Sequence, residues 1–195
     1  KTTLEYLKSY GFSEKIIRRF FKPFFTGIFL EEDLRTSSRM FEFVFKMFSQ
    51  GYAALPVGGI GEISEQLAAS LKTSQIQFQH PVQKVEAGKI TLESGQTLHS
   101  DATLVTVPIS RKTGELNRDR LDWKRCDNLY FTVPKRTFNE GIIGLVAIEA
   151  SLVNNLYYPF GQAIEGQPLL SVTVVKDHGL HPDALTEQVR RDLKA

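Results

Sequence analysis

Leu55-Pro56-Val57-Gly58-Gly59-Ile60-Gly61 divides the chain into two textures. Pro56 and the glycine cluster at 58, 59 and 61 disfavour a regular helix or strand, so the segment reads as a turn. Upstream of it, apolar residues recur at helical spacing. Leu4 and Leu7 mark a first helix that Gly11 stops near Tyr10. Ser13 is a good N-cap for a second helix with Ile16, Ile17, Phe20, Phe21 and Phe24 on its apolar positions, and Pro23 should bend or end it locally. A third runs from about Ser37 to Phe48, with Met40, Phe41, Val44, Phe45, Met47 and Phe48 giving a broad apolar face.

Downstream, a short amphipathic helix carries Ile63, Leu67, Ala68 and Leu71, and then the period becomes two. Residues 82–85, 89–93 and 96–99 read as short strands joined by Ala87-Gly88 and Ser94-Gly95 hairpin turns. The more continuously apolar run 102–107, ended by Pro108, has the texture of a buried strand. Residues 111–125 are polar and read as loop. Strands are expected near 128–133, 142–149 and 169–175, and a last helix from near Asp183 with Leu185, Val189 and Leu193 on one face. Helices, then strands, then strands and a helix give an α+β fold: a mixed sheet with helices packed on it, plus a small β-rich part.

Composition narrows the function classes. The 195 residues are 42% apolar and 24% charged with a formal net charge of +2, the balance of an ordinary water-soluble domain. The densest basic group, Lys15, Arg18, Arg19 and Lys22, fits the wet side of one helix rather than a nucleic-acid stripe. The longest strongly apolar stretch, 142–148, falls far short of the ~20 residues a membrane span needs. Cys126 is the only cysteine, which excludes an internal disulfide and a multi-cysteine zinc site. It points to a reducing, cytoplasmic setting and reads as a small buried hydrophobe. His178 and His181 flank Gly179 ahead of Pro182, a surface loop rather than a metal site, and His80 and His99 are strand-edge residues. No Ser/His/Asp or paired-carboxylate pattern stands out, so no catalytic side chain is assigned.

Two stretches together carry a resemblance. The first is the 55–61 turn followed by the helix containing Leu67-Ala68. The second passes through Ile76, Val82, Val85, Leu92-Glu93-Ser94-Gly95, Ser100-Asp101-Ala102 and Val105-Thr106-Val107-Pro108. In this order they resemble the central part of the flavin-containing amine oxidases, relatives of the phytoene desaturases and protoporphyrinogen oxidases. The helical opening, from Phe12-Ser13-Glu14 through Phe24-Phe25 to Ser37-Ser38-Arg39-Met40, looks like substrate-domain helices of that family. The resemblance implies helical substrate domain over 1–56, FAD-binding domain over 57–110, and substrate-domain sheet and helix over 111–195. It implies an FAD-dependent parent oxidising an amine or apolar substrate by hydride transfer to flavin. The resemblance places the backbone at Val82 against the adenine, whereas the residue pattern alone favours a plain core strand there.

The departures are as informative. The family's phosphate loop is a G-x-G-x-x-G between a strand and a helix, and Gly59-Ile60-Gly61 does not supply it, because Pro56 precedes it and Ser64 stands at the third glycine. The ribose-binding acidic residue is missing too. The chain also starts at Lys1 without methionine and enters helical pattern at once, so the expectation is an internal piece that is inactive and binds no FAD alone. Glu62, directly after the glycine turn, is the candidate substrate-pocket residue. Its bland alternative is a carboxylate favourably placed in a first helical turn. Phe20, Phe21, Phe24, Phe25 and Phe29 suit either an apolar channel or a packed core. A second reading of the whole is a non-catalytic carrier of prenylated partners, like the GDP dissociation inhibitors.

Overall fold

Capping residues set the helix boundaries in the computed structural model, which describes residues 1–52, 54–106 and 123–194. Helix α1 (Thr3–Ser9) starts on a capping box in which the Thr2 hydroxyl accepts from Glu5 N–H and the Glu5 carboxylate accepts from Thr2 N–H. Gly11, at φ +96°, lets the chain turn away after Tyr10. Ser13 caps α2 (Glu14–Ile16), which runs without a break through a π turn (Ile17–Phe21) into α3 (Lys22–Phe29). Pro23 therefore neither ends nor interrupts the helix. It has no N–H to continue the ladder, and the turn before it widens so that Lys22 N–H donates to Ile17 C=O. Ser37 caps α4 (Ser38–Gln50).

Contacts divide the chain into two units: unit 1 is Lys1–Gly51 with Trp123–Ala195, and unit 2 is Tyr52–Asp122. In unit 1 the second component is a five-stranded sheet. Its strands are β4 (Asp127–Thr132), β5 (Gly144–Leu145), β6 (Val153–Tyr157), β7 (Ala163–Ile164) and β8 (Gln167–Val174), followed by α6 (Pro182–Asp192). The order is β4-β8-β6-β5 with β7 paired to β8, and every pairing among the described residues is antiparallel where a mixed sheet was expected. Glu165 and Gly166, both at positive φ, close the β7–β8 hairpin with the twist that such short loops require.

Two cores hold unit 1. Val153, Leu170, Val172 and Val174 from the sheet meet Leu185 and Val189 of α6. Leu7, Ile17, Phe21, Phe25, Leu34 and Phe41 form the helical core. The layers meet where α3 packs on β6: Gly27 leaves room beside Asn154 and Asn155, and the buried Asn154 amide donates to Pro23 C=O at 3.2 Å.

Unit 2 holds α5 (Gly61–Ser70) and a meander of β1 (Val82–Glu86), β2 (Lys89–Leu92) and β3 (Thr97–His99). Gly88 and Gly95, at φ +71° and +86°, make its two turns. Leu92 is the one buried hydrophobic residue among those described in this unit.

Several expectations are corrected. The stretch 102–106 forms no strand, and Leu104 is 88% exposed. An apolar run is a buried strand only if neighbours cover it, and no described strand pairs with this one. Val107, Pro108 and 111–122 lie outside the described residues. The strand expected over 142–149 is confined to Gly144–Leu145. Cys126 is exposed rather than buried, since it precedes β4 at the rim of the sheet where no layer covers it.

Candidate functional site

Val82 lies at the start of β1, and its backbone faces outward. Leu92, its partner across the ladder, uses its N–H and C=O on the β3 side, donating to Gln96 C=O at 2.9 Å and accepting from Gly95 N–H at 3.0 Å. One step along, Glu93 N–H donates to Pro81 C=O at 2.8 Å. Antiparallel pairs alternate between bonded and non-bonded, so Val82 opposite Leu92 is a non-bonded pair. Its N–H and C=O therefore project from the outer edge of β1, an edge no described strand of this unit covers. The ladder shifts register between Val82 and Lys84, the kind of bulge that re-aims an edge. The Val82 side chain is 43% exposed.

Glu62 occupies the first turn of α5, where its N–H donates to Gly59 C=O at 3.2 Å. Its carboxylate folds back over Gly58, so that a Cβ added at Gly58 would collide with it. The glycine at 58 thus makes space for this side chain, and Gly59, at φ +94°, turns the chain into the helix. A phosphate could not use this turn in the same way. No strand precedes it among the described residues, and the carboxylate already sits over its first glycine. Ile63 and Leu67 of α5, which share a helical stripe, and Leu71 at its C-cap are all exposed.

The phenylalanine cluster is a core. Phe25 is fully buried with the rings of Phe41, Phe24 and Phe29 centred 4.7, 5.1 and 5.2 Å away. At its rim, the Tyr6 hydroxyl donates to Glu42 Oε1 at 2.8 Å, and that hydrogen bond holds the phenol above its usual pKa. His178 donates from Nε2 to Asp127 at 3.0 Å and accepts at Nδ1 from Leu180 N–H, which pins the loop after β8 to β4. Among the described residues no group of three or more His, Cys, Asp or Glu side chains is placed to hold a metal, and no helix is long and apolar enough to cross a membrane.

The chain is thus α+β, with a glycine turn, an outward-facing strand edge and a helix-covered antiparallel sheet. The family model for flavin containing amine oxidoreductases matches residues 1–195, and the chain belongs to that family. No curated protein and no solved structure matches it.

Proposed function

We propose that these residues serve an FAD-dependent oxidoreductase that takes a hydride from a C–N or C–C bond of a small amine or apolar substrate. Family membership carries the reading, and the outward edge at Val82 supports it within the structure. An N–H donor beside a C=O acceptor matches the acceptor and donor on an adenine edge. Bound FAD would supply the hydride acceptor, while the chain supplies binding and orientation. Unit 2 would belong to the flavin domain and unit 1 to the substrate domain. The exposed stripe of α5 and the free edge of β1 support this assignment, since both are surfaces that further parts of a larger flavin domain would cover. The single free thiol, Cys126, is in keeping with a reducing, cytoplasmic setting.

Because the sequence contains no G-x-G-x-x-G, these 195 residues offer FAD only an adenine-side contact. Titration of the purified chain with FAD, followed by flavin fluorescence, should show no stoichiometric micromolar binding. Tight binding would mean that the phosphate loop matters less than proposed. Glu62 is proposed to face the substrate, although its fold-back over Gly58 at the positive end of α5 equally suits a helix-end carboxylate. In the full-length enzyme, Glu62→Gln that alters turnover without moving the melting temperature supports the pocket role. A change in stability alone assigns Glu62 to the helix end.

A further inference from the structure

A cavity of about 250 Å³ lies in unit 1 between α3 and the segment joining β5 to β6. Three of its bordering side chains are cations, Arg18, Lys22 and Lys176. None of the three forms an ion pair with a described carboxylate. Lys176 is held in place by donating to Glu149 C=O at 2.5 Å and Ser151 C=O at 2.7 Å, which leaves its third proton uncommitted. Thr26, also on the wall, is 4% exposed, and its hydroxyl is the one buried side-chain polar atom described here without a hydrogen-bond partner. A buried hydroxyl in that state costs stability unless something else satisfies it.

We propose that this cavity binds a small carboxylate, its head group meeting the Lys176 ammonium and the Thr26 hydroxyl and its hydrocarbon end lying along Ile148 and Val153. The charge favours a monoanion: three cations against the carboxylates of Glu32 and Glu149, which also border the space, leave one positive charge. A phosphate dianion would exceed that charge and would leave the apolar wall unused. The inference rests on unit 1 alone and stands whether or not the flavin reading holds.

Butyrate is the probe, titrated into the 195-residue chain by ligand-observed NMR, with butyramide as neutral isostere and inorganic phosphate as the competing oxyanion. Saturable butyrate binding is expected, with butyramide about ten-fold weaker through the loss of one charge-assisted hydrogen bond and phosphate weaker through its excess charge and the unused apolar wall. Thr26→Val should weaken butyrate about five-fold through the lost hydroxyl, while the melting temperature of the free protein holds or rises because an unsatisfied group leaves the core. Lys176→Met should weaken it further, and Thr26→Val keeps the test decisive if that variant folds poorly. Phosphate binding tighter than butyrate would overturn the carboxylate assignment. Non-saturating butyrate, or an affinity unchanged by Thr26→Val, would overturn the site.

Discussion

Phe25→Ala separates a packed aromatic core from a ligand channel. Phe25 is fully buried, and five rings lie around it, from Phe41 at 4.7 Å out to Phe21 and Phe45 at 6.5 Å. Truncating a buried phenylalanine costs about 3–5 kcal/mol, made up of lost transfer energy and a cavity that its neighbours only partly fill. These neighbours belong to α3, α4 and the π turn, whose backbones are fixed by their own ladders, so a value of about 4 kcal/mol is expected. Phe20, 38% exposed and in ring contact with Phe21 and Phe24, should cost about 1 kcal/mol when truncated. Urea unfolding followed by helical circular dichroism reads both. With m near 2 kcal/mol/M, Phe25→Ala moves the midpoint down by about 2 M. A shift below about 0.5 M with m unchanged would show that Phe25 lines space meant for a ligand.

Three further outcomes follow from particular contacts. Asp192 accepts from Leu152 N–H at 2.7 Å, Gln188 Nε2 at 2.8 Å and the Ser151 hydroxyl at 3.1 Å, so Asp192→Ala should cost about 2–3 kcal/mol in urea unfolding and Asp192→Asn about half of that. A Cβ at Gly27 would stand 3.0 Å from the amides of Asn154 and Asn155, so Gly27→Ala should be nearly neutral, its crowding offset by about 1 kcal/mol of helix propensity, whereas Gly27→Val should lose about 2 kcal/mol. Glu5 is held below its ordinary value of 4.5 chiefly by the hydrogen bond from Thr2 N–H. Its folded value lies under its unfolded one, so the stabilisation is present above the unfolded value and is lost as pH falls through the folded value. An NMR titration should place the Glu5 midpoint below 4.5, with α1 amide protection falling across it, and a midpoint at or above 4.5 would remove the capping box from the account.

What the sequence made legible was local. Ser13 and Ser37 are side-chain caps written in single letters, and Gly88 and Gly95 mark turns that only a residue tolerant of positive φ makes cheaply. Strand β6 is not legible because Asn154 and Asn155 have poor strand propensity, and the buried Asn154 is satisfied there by donating to Pro23 C=O, 131 positions away. No local pattern announces that pairing. The same holds for the cavity beside α3, where Lys176 from beyond β8 joins Arg18 and Thr26 of the continuous N-terminal helix. The run 102–106 failed in the opposite direction, since apolar letters show what can be buried and not what is available to cover it. Val82 was named from a resemblance, and its outward backbone became visible only through the register with Leu92.

The central claim is that Val82 and its surroundings work in an FAD-dependent oxidoreductase. The most direct measurement is the visible absorbance of the full-length protein bearing these residues, before and after anaerobic addition of candidate amines. The account predicts a flavin spectrum that an oxidisable amine bleaches. It also predicts that Val82→Pro, tolerated on an edge whose N–H points away from the ladder, weakens FAD retention about five-fold through one lost hydrogen bond. A protein that stays colourless after incubation with excess FAD, or a Val82→Pro variant that retains flavin like the parent, would contradict it.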